Sequence, residues 1–172
     1  NGMEYRINVG GVNIVESKAE KLLGLKIDSN LNFKEHVKSL VGPINHKLYI
    51  LKKLRPQLTL NQIKIIGSGL VMSKLEYCLS AYANVYLEED NRCEKSDNMK
   101  RLQKMQNDFL RVIAKSNIRE REPIKNLLDR LGFLSVNQLA AKQILNTSWN
   151  LIKNQIDPMD EILQGINRNS SL

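Results

Sequence analysis

The first 28 residues show the alternation of apolar and polar positions that is typical of β-strands. Tyr5, Ile7 and Val9 alternate with polar residues, and the same period returns at Val12 and Ile14. The Gly-Gly pair between these two runs favours a tight hairpin turn, because both central residues of such a turn need a positive φ. The pattern therefore predicts an N-terminal β-hairpin.

A third short strand is expected over 22–27, and from residue 32 onward apolar residues recur every three or four positions, the period of an α-helix. Gly42-Pro43 is expected to divide the first helical stretch, because proline lacks a backbone N–H and its ring clashes inside a helix. The predicted helices run over residues 33–41, 44–54, 60–87, 97–115, 123–130 and 136–155. The expected fold is mainly α: a helical bundle of about five to six helices with a short N-terminal β-hairpin and one further strand.

Capping boxes mark three of the predicted helix starts. In each, the first side chain accepts from a backbone N–H, and a Glu or Gln three residues later reaches back. They occur at Asn32 with Glu35, at Thr59 with Gln62, and at Ser135 with Gln138. Asp157-Pro158 predicts the start of a last short helix. The expected segments are 1–28, a hairpin and a strand; 29–87, helices; 88–97, an acidic loop; 98–166, a C-terminal helical region; and 167–172, a tail.

The chain carries 26 Lys and Arg against 18 Asp and Glu, a formal net charge of +8 over 172 residues. Such an excess attracts polyanions, of which nucleic acid is the commonest and an anionic membrane surface the main competitor; charge that serves only solubility is the third interpretation. No apolar run approaches the roughly 20 residues that span a bilayer, and no membrane partner is expected. Two thiols, Cys78 and Cys93, favour a reducing, intracellular compartment, nuclear or cytoplasmic.

Residues with the spacing of a catalytic or metal site are missing from the sequence. His36 and His46 form no His-x-x-x-His pair, and Cys78 is interpreted as a core residue within a helix. Gly67-Ser68-Gly69 lacks the strand and turn of a phosphate loop, so close helix packing explains it better. The acidic clusters at 88–90 and 160–161 lack the strand-turn setting of a polymerase aspartate pair. The chain is therefore not expected to be an enzyme or to bind a cofactor.

Basic side chains form one face of two predicted helices. The stretch 34–55 holds six basic residues and one acidic residue beside an apolar stripe. The helix over 98–115 repeats this design, with apolar residues opposite its basic sector, and Gln103, Gln106 and Asn107 are expected to hydrogen-bond phosphate, sugar or a neighbouring helix. The alternative is a solvated helix surface. The candidate nucleic-acid contacts are Lys47, Lys52, Lys53, Arg55, Lys100, Arg101, Lys104, Arg111 and Lys115.

Several stretches, in order and at consistent spacing over roughly residues 20 to 140, resemble one family. They are KLLGLKID at 21–28, LNFKEH at 31–36, Leu54-Arg55, LEYC at 75–78, LQKMQN at 102–107 with Arg111, and LGFLSV at 131–136. Together they resemble the part of non-LTR retrotransposon reverse transcriptases that follows the catalytic palm.

The resemblance implies that 5–27 are the last palm strands and that the helices are the thumb and the connecting region. The catalytic aspartates of the family would lie upstream. A thumb holds the template–primer, so RNA or an RNA–DNA duplex would be the partner, gripped by shape and backbone. The alternative function is a protein–protein interaction or oligomerisation module, because apolar surface and the hairpin edge would be exposed without the rest of the polymerase.

Overall fold

A computed structural model of the chain describes residues 6–15, 17–83, 97–115 and 122–154. Its strands are β1 (Arg6–Val9), β2 (Val12–Val15), β3 (Ala19–Leu22) and β4 (Leu25–Asp28). Its helices are α1 (Lys34–Leu54), α2 (Leu60–Gly67), α3 (Ser73–Glu76), α4 (Leu79–Tyr82), α5 (Asp97–Ala114), α6 (Ile124–Leu131) and α7 (Val136–Asn154). The mainly α fold with a short N-terminal hairpin is confirmed.

Two separate hairpins form the N-terminal part. β1 pairs with β2 through a turn in which Gly10 and Gly11 both have positive φ, as predicted. The single strand expected over 22–27 is wrong, because a turn at Leu23 and Gly24 divides that stretch into the paired strands β3 and β4. The sequence did not predict this turn, because its first residue is a leucine. Leu23 takes a positive φ, which a leucine rarely adopts.

α1 is one continuous helix, and the predicted break at Gly42-Pro43 is wrong. Gly42 lacks the Cβ atom that would clash with the ring of the following proline, so it can remain helical. Pro43 lies on the exposed side, where water can reach the carbonyl that the proline leaves unpaired. Val37 and Ile44 lie on either side of this point and are both fully buried, which holds the two halves on one core.

The helix predicted over 60–87 is interrupted where the structure describes it. After α2 the chain passes through a π-helical stretch, Ser68–Met72, into α3, and Cys78 then takes a left-handed conformation with φ 53° before α4. Cys78 is half-buried and packs against the core rather than lying inside a helix. Residues 84–87, and with them most of the predicted acidic loop, lie outside the described residues.

The three predicted capping boxes differ in outcome. Thr59 with Gln62 is confirmed, and so is Ser135 with Gln138, whose backbone N–H donates to the Ser135 hydroxyl over 3.3 Å. The box at Asn32 is wrong, because Phe33 precedes α1 in a left-handed conformation without a side-chain cap. The start predicted at Asp157-Pro158 and the tail at 167–172 lie outside the described residues.

α5 lies at the centre of the helical body. It contacts α1, α2, α6 and α7, and Leu102, Phe109 and Leu110 on it are fully buried. A Cβ added to Gly67 of α2 would overlap a ring carbon of Phe109, so close helix packing does explain this glycine. Gly69 has open space around it and is not explained in the same way.

α1 and α5 run parallel. Near their N-terminal ends, the Asn98 side-chain amide donates to the Asn32 carbonyl over 2.7 Å. Near their C-terminal ends, the Arg55 Nε–H donates to the Ile113 carbonyl over 2.9 Å. Because these contacts join like ends, the cations at the ends of both helices lie toward the same end of the molecule.

Over the described stretches, none of the helices combines the length and the apolarity that a bilayer crossing requires.

Candidate nucleic-acid interface

The solvent side of α5 carries most of the predicted cations. Lys100, Arg101, Lys104 and Lys115 are exposed, and Arg111 is half-buried. At 100° per residue Lys100, Lys104 and Arg111 lie opposite the buried apolar face, as the sequence pattern predicted. Arg101 lies nearer the border of that face, and Lys115 follows the last residue of the helix with a positive φ. The burial of that apolar face against four other helices fixes the direction in which the cations project.

Two carboxylates interrupt this basic face. Asp97 lies 3.9 Å from the Lys100 ammonium, in a pair whose side chains are both largely exposed. Asp108 is exposed in the same sector, between Lys104 and Arg111. An exposed pair of this kind contributes little to stability, so Lys100 can exchange Asp97 for a phosphate at small cost.

The cations of α1 have more varied surroundings. Lys52 is exposed, and the Lys53 ammonium lies 5.6 Å from the centre of the Tyr49 ring, a cation–π geometry that leaves the side chain exposed. The Lys47 ammonium donates to the Leu70 carbonyl over 2.8 Å in a half-buried setting. Lys47 therefore ties α1 to the π-helical stretch, and its distance from solvent makes it a weaker candidate for a ligand contact.

Arg55 is used inside the fold. Its Nε–H donates to the Ile113 carbonyl and its Nη1 donates to the Leu58 carbonyl over 3.0 Å. Ile113 belongs to the last turn of α5, where carbonyls lack helical partners and the helix dipole attracts a cation. The structure therefore gives Arg55 a capping role that its sequence position did not reveal.

The ends of the two parallel helices bring four predicted cations to one end of the molecule. Lys52 and Lys53 stand in the last turn of α1, and Arg111 and Lys115 stand at the end of α5. The two helix dipoles place partial negative charge there, which favours these cations and accounts for part of their clustering without any ligand. Lys100, Arg101 and Lys104 lie toward the opposite end of α5.

The amide side chains of Gln103 and Gln106 on α5 form hydrogen bonds within the protein. The buried Gln106 donates to the Leu134 carbonyl over 2.8 Å, and the Gln103 carbonyl oxygen accepts from the backbone N–H of Val136 over 3.1 Å. Gln103 also donates to Gln106 and Asn107. The sequence predicted phosphate, sugar or a neighbouring helix as their partners. For Gln103 and Gln106 these bonds show contact with a neighbouring helix, because they attach α5 to the start of α7.

Sequence reasoning missed a polar junction where β4 meets α1. The Lys26 backbone N–H donates to His36 Nδ1 over 3.4 Å, and the Tyr82 ring stands edge-on to the imidazole at 4.8 Å between centres. His36 is buried, and burial together with the nearby Lys26 charge lowers its pKa. The Asp28 carboxylate accepts from the N–H groups of Asn32 and Phe33. The one sequence signal for this junction is that KLLGLKID, which holds Lys26 and Asp28, is followed closely along the chain by LNFKEH, which holds His36.

Comparison with known proteins gives no relative: no protein family, no curated protein and no solved structure matches the chain. The resemblance to the end of a retrotransposon reverse transcriptase therefore stays a prediction. Within the described residues, no group of His, Cys, Asp or Glu side chains could hold a metal ion.

Proposed function

We propose that this chain is a non-catalytic module that binds the sugar–phosphate backbone of RNA or of an RNA–DNA duplex through the exposed face of α5. The observation that carries the proposal is the division of α5 into a buried apolar side and a basic solvent side. The net charge of +8 supports it, because a positive field speeds the encounter with a polyanion.

The dimensions of α5 suit a backbone contact. Lys100 and Lys115 are separated by fifteen residues, which corresponds to roughly 22 Å along a helix. Phosphates of one strand advance about 3.4 Å per nucleotide along a duplex axis, so this face can extend over about six of them. Lysines and arginines that contact phosphates position a protein without reading the base sequence. The proposal therefore concerns affinity and shape, and includes no base preference.

The ligand contacts are proposed to differ from the first set of candidates. Lys100, Arg101, Lys104, Arg111 and Lys115 remain on the proposed face, with Lys52 and Lys53 near its C-terminal end. Lys47 and Arg55 are assigned to the fold instead, because their donors already meet backbone carbonyls. No catalytic step is proposed, and the acidic clusters at 88–90 and 160–161 lie outside the described residues.

Binding of the purified chain to a labelled RNA–DNA primer–template across a salt series tests the proposal. Contacts with phosphates release counterions, so the logarithm of the association constant should fall linearly with the logarithm of the salt concentration. The duplex should also be preferred over heparin, which shares its charge but not its shape. Failure to bind at low salt, or equal affinity for heparin, would mean that the charge is only a property of the surface.

A second candidate function rests on the β1–β2 hairpin. Ile7, Val9 and Val12 stand on one face of this hairpin and are exposed, whereas the opposite face carries a hydrogen bond between Asn8 and Asn13. A two-stranded hairpin with an uncovered apolar face is marginally stable in water, which favours a role in protein interaction or self-association. A mass that rises with concentration in light scattering would support this role; a constant monomer mass would oppose it.

A further inference from the structure

The second half of α7 projects from the helical body. Its first half is anchored, since Val136 and Ala140 are buried and Gln143 bonds to both the Glu76 carbonyl and the Ser80 backbone N–H. From Ile144 to Lys153 every residue except Leu151 is exposed. At 1.5 Å per residue this exposed part extends for about 14 Å.

Large apolar residues gather on one side of this projection. Leu145, Trp149 and Ile152 are 69%, 64% and 72% exposed. Their spacing of four and then three residues places them within about 60° of one another around the helix. A helix stripe of this kind is normally covered by another element, and side chains at such spacing anchor one helix against a second.

The charges beside the stripe indicate what covers it. The described part of α7 contains two charged residues, Lys142 and Lys153, and both are exposed and basic. Helical geometry places them on the border of the stripe, next to Trp149. Lys142 also lies near Glu76, where its charge acts to lower the pKa of that carboxyl although burial raises it overall. Lys153 is therefore the main cation that the projection offers to a partner.

We propose that this surface, defined by Leu145, Trp149, Ile152 and Lys153, binds an acidic amphipathic helix of a partner protein. A second copy of the chain fits less well, because each copy carries a formal charge of +8 and identical surfaces would bring lysine toward lysine. An acidic helix supplies apolar side chains for the stripe and carboxylates for Lys153. The inference stands independently of nucleic-acid binding by α5.

Trp149 makes the surface directly observable, because it is the only tryptophan in the sequence. The probe is a synthetic amphipathic helical peptide with leucines on one face and glutamates on the other; the matched peptide carries lysines in place of the glutamates. Added to the full chain, the acidic peptide should shift the Trp149 emission to shorter wavelength with saturation. The basic peptide should bind about two- to fivefold more weakly for each charge pair that it replaces by a repulsion.

Exposed residues allow variants that leave the core untouched. Leu145→Gln with Ile152→Gln should weaken the acidic peptide about tenfold, and Lys153→Gln should weaken it about two- to fivefold. Thr147→Ala, at an exposed position on the opposite side of the helix, is the matched control and should leave the affinity unchanged.

Three results would overturn the proposal. Equal binding of the two peptides, or of neither, would show that the surface does not select an acidic helix. An emission shift that depends on protein concentration without peptide would assign the surface to self-association. Quenching of Trp149 by a single-stranded oligonucleotide would assign it to base stacking.

Discussion

The Arg55 guanidinium donates to the Ile113 carbonyl across 58 residues of sequence and so joins the ends of α1 and α5. Arg55→Met removes this bond and the bond to Leu58, so both half-buried carbonyls lose their guanidinium donor. We expect the free energy of unfolding to fall by about 1.5–3 kcal/mol, measured by urea denaturation. Lys52→Met, at an exposed position, is the control and should change it by less than about 0.5 kcal/mol. Equal losses of unfolding free energy in the two variants would show that Arg55 does not cap α5.

Gly67 should tolerate no larger side chain. Gly67→Ala places a methyl group against the Phe109 ring, which is itself fully buried and cannot move freely. Overpacking of this kind costs about 1–3 kcal/mol, seen as a lower urea midpoint. Gly69→Ala is the matched control, since nothing lies near its added methyl group, and it should be neutral or slightly stabilising. A neutral Gly67→Ala would mean that α2 and α5 pack less closely than the structure shows.

His36 should make stability depend on pH. Burial and the Lys26 charge lower its pKa in the folded state, while the unfolded chain keeps the usual value of 6.5. The unfolded state therefore binds the proton more tightly, and stability should fall as pH drops through 6.5 and level off below the folded pKa. Protonation would also turn Nδ1, which accepts from the Lys26 N–H, into a second donor. Urea midpoints measured between pH 7.5 and 5.0 test this.

Two histidine variants separate this effect from other titrations. His36→Gln should remove most of the pH dependence in that range. His46→Gln, at an exposed position of the same helix, should retain it. A wild-type midpoint that stays constant from pH 7.5 to 5.0 would show that His36 is not held in its neutral form.

Asp108 should weaken nucleic-acid binding. Its carboxylate lies within the basic sector of α5 and repels phosphate. Asp108→Asn should raise the affinity for an RNA–DNA duplex by up to about fivefold at low salt, corresponding to about 1 kcal/mol for one nearby charge. Asp129→Asn on α6 makes the same change in net charge at another exposed position and should raise it less. An equal gain from both would point to net charge alone.

The fold was predictable where its causes are local. The capping boxes at Thr59 and Ser135 and the apolar stripe of α5 need only neighbours a few residues away. The box at Asn32 failed because the Asp28 carboxylate takes the N–H groups of Asn32 and Phe33, a competition that the four-residue motif does not contain. The predicted helix break at Gly42-Pro43 is wrong because the burial of Val37 and Ile44, on either side of it, outweighs the local cost of a proline in a helix.

The candidate site was predictable to a similar extent. Helical periodicity placed the α5 cations on the solvent side from sequence alone. It could not distinguish Lys52, which is exposed, from Arg55, whose partner lies 58 residues away. It placed Gln106 on the side of the apolar residues but could not identify Leu134 as its partner, because that bond depends on how α5 meets the start of α7.

The most direct test of the central claim compares two triple variants of equal charge in the duplex salt series. One variant neutralises the α5 face by Gln at Lys100, Lys104 and Lys115; the other places Gln at the exposed Lys38, Lys74 and Lys125. Each lost phosphate contact should reduce the salt slope by about one, so the α5 variant should lose about two to three and the control should keep the wild-type slope. Equal slopes for the two variants would contradict binding through α5.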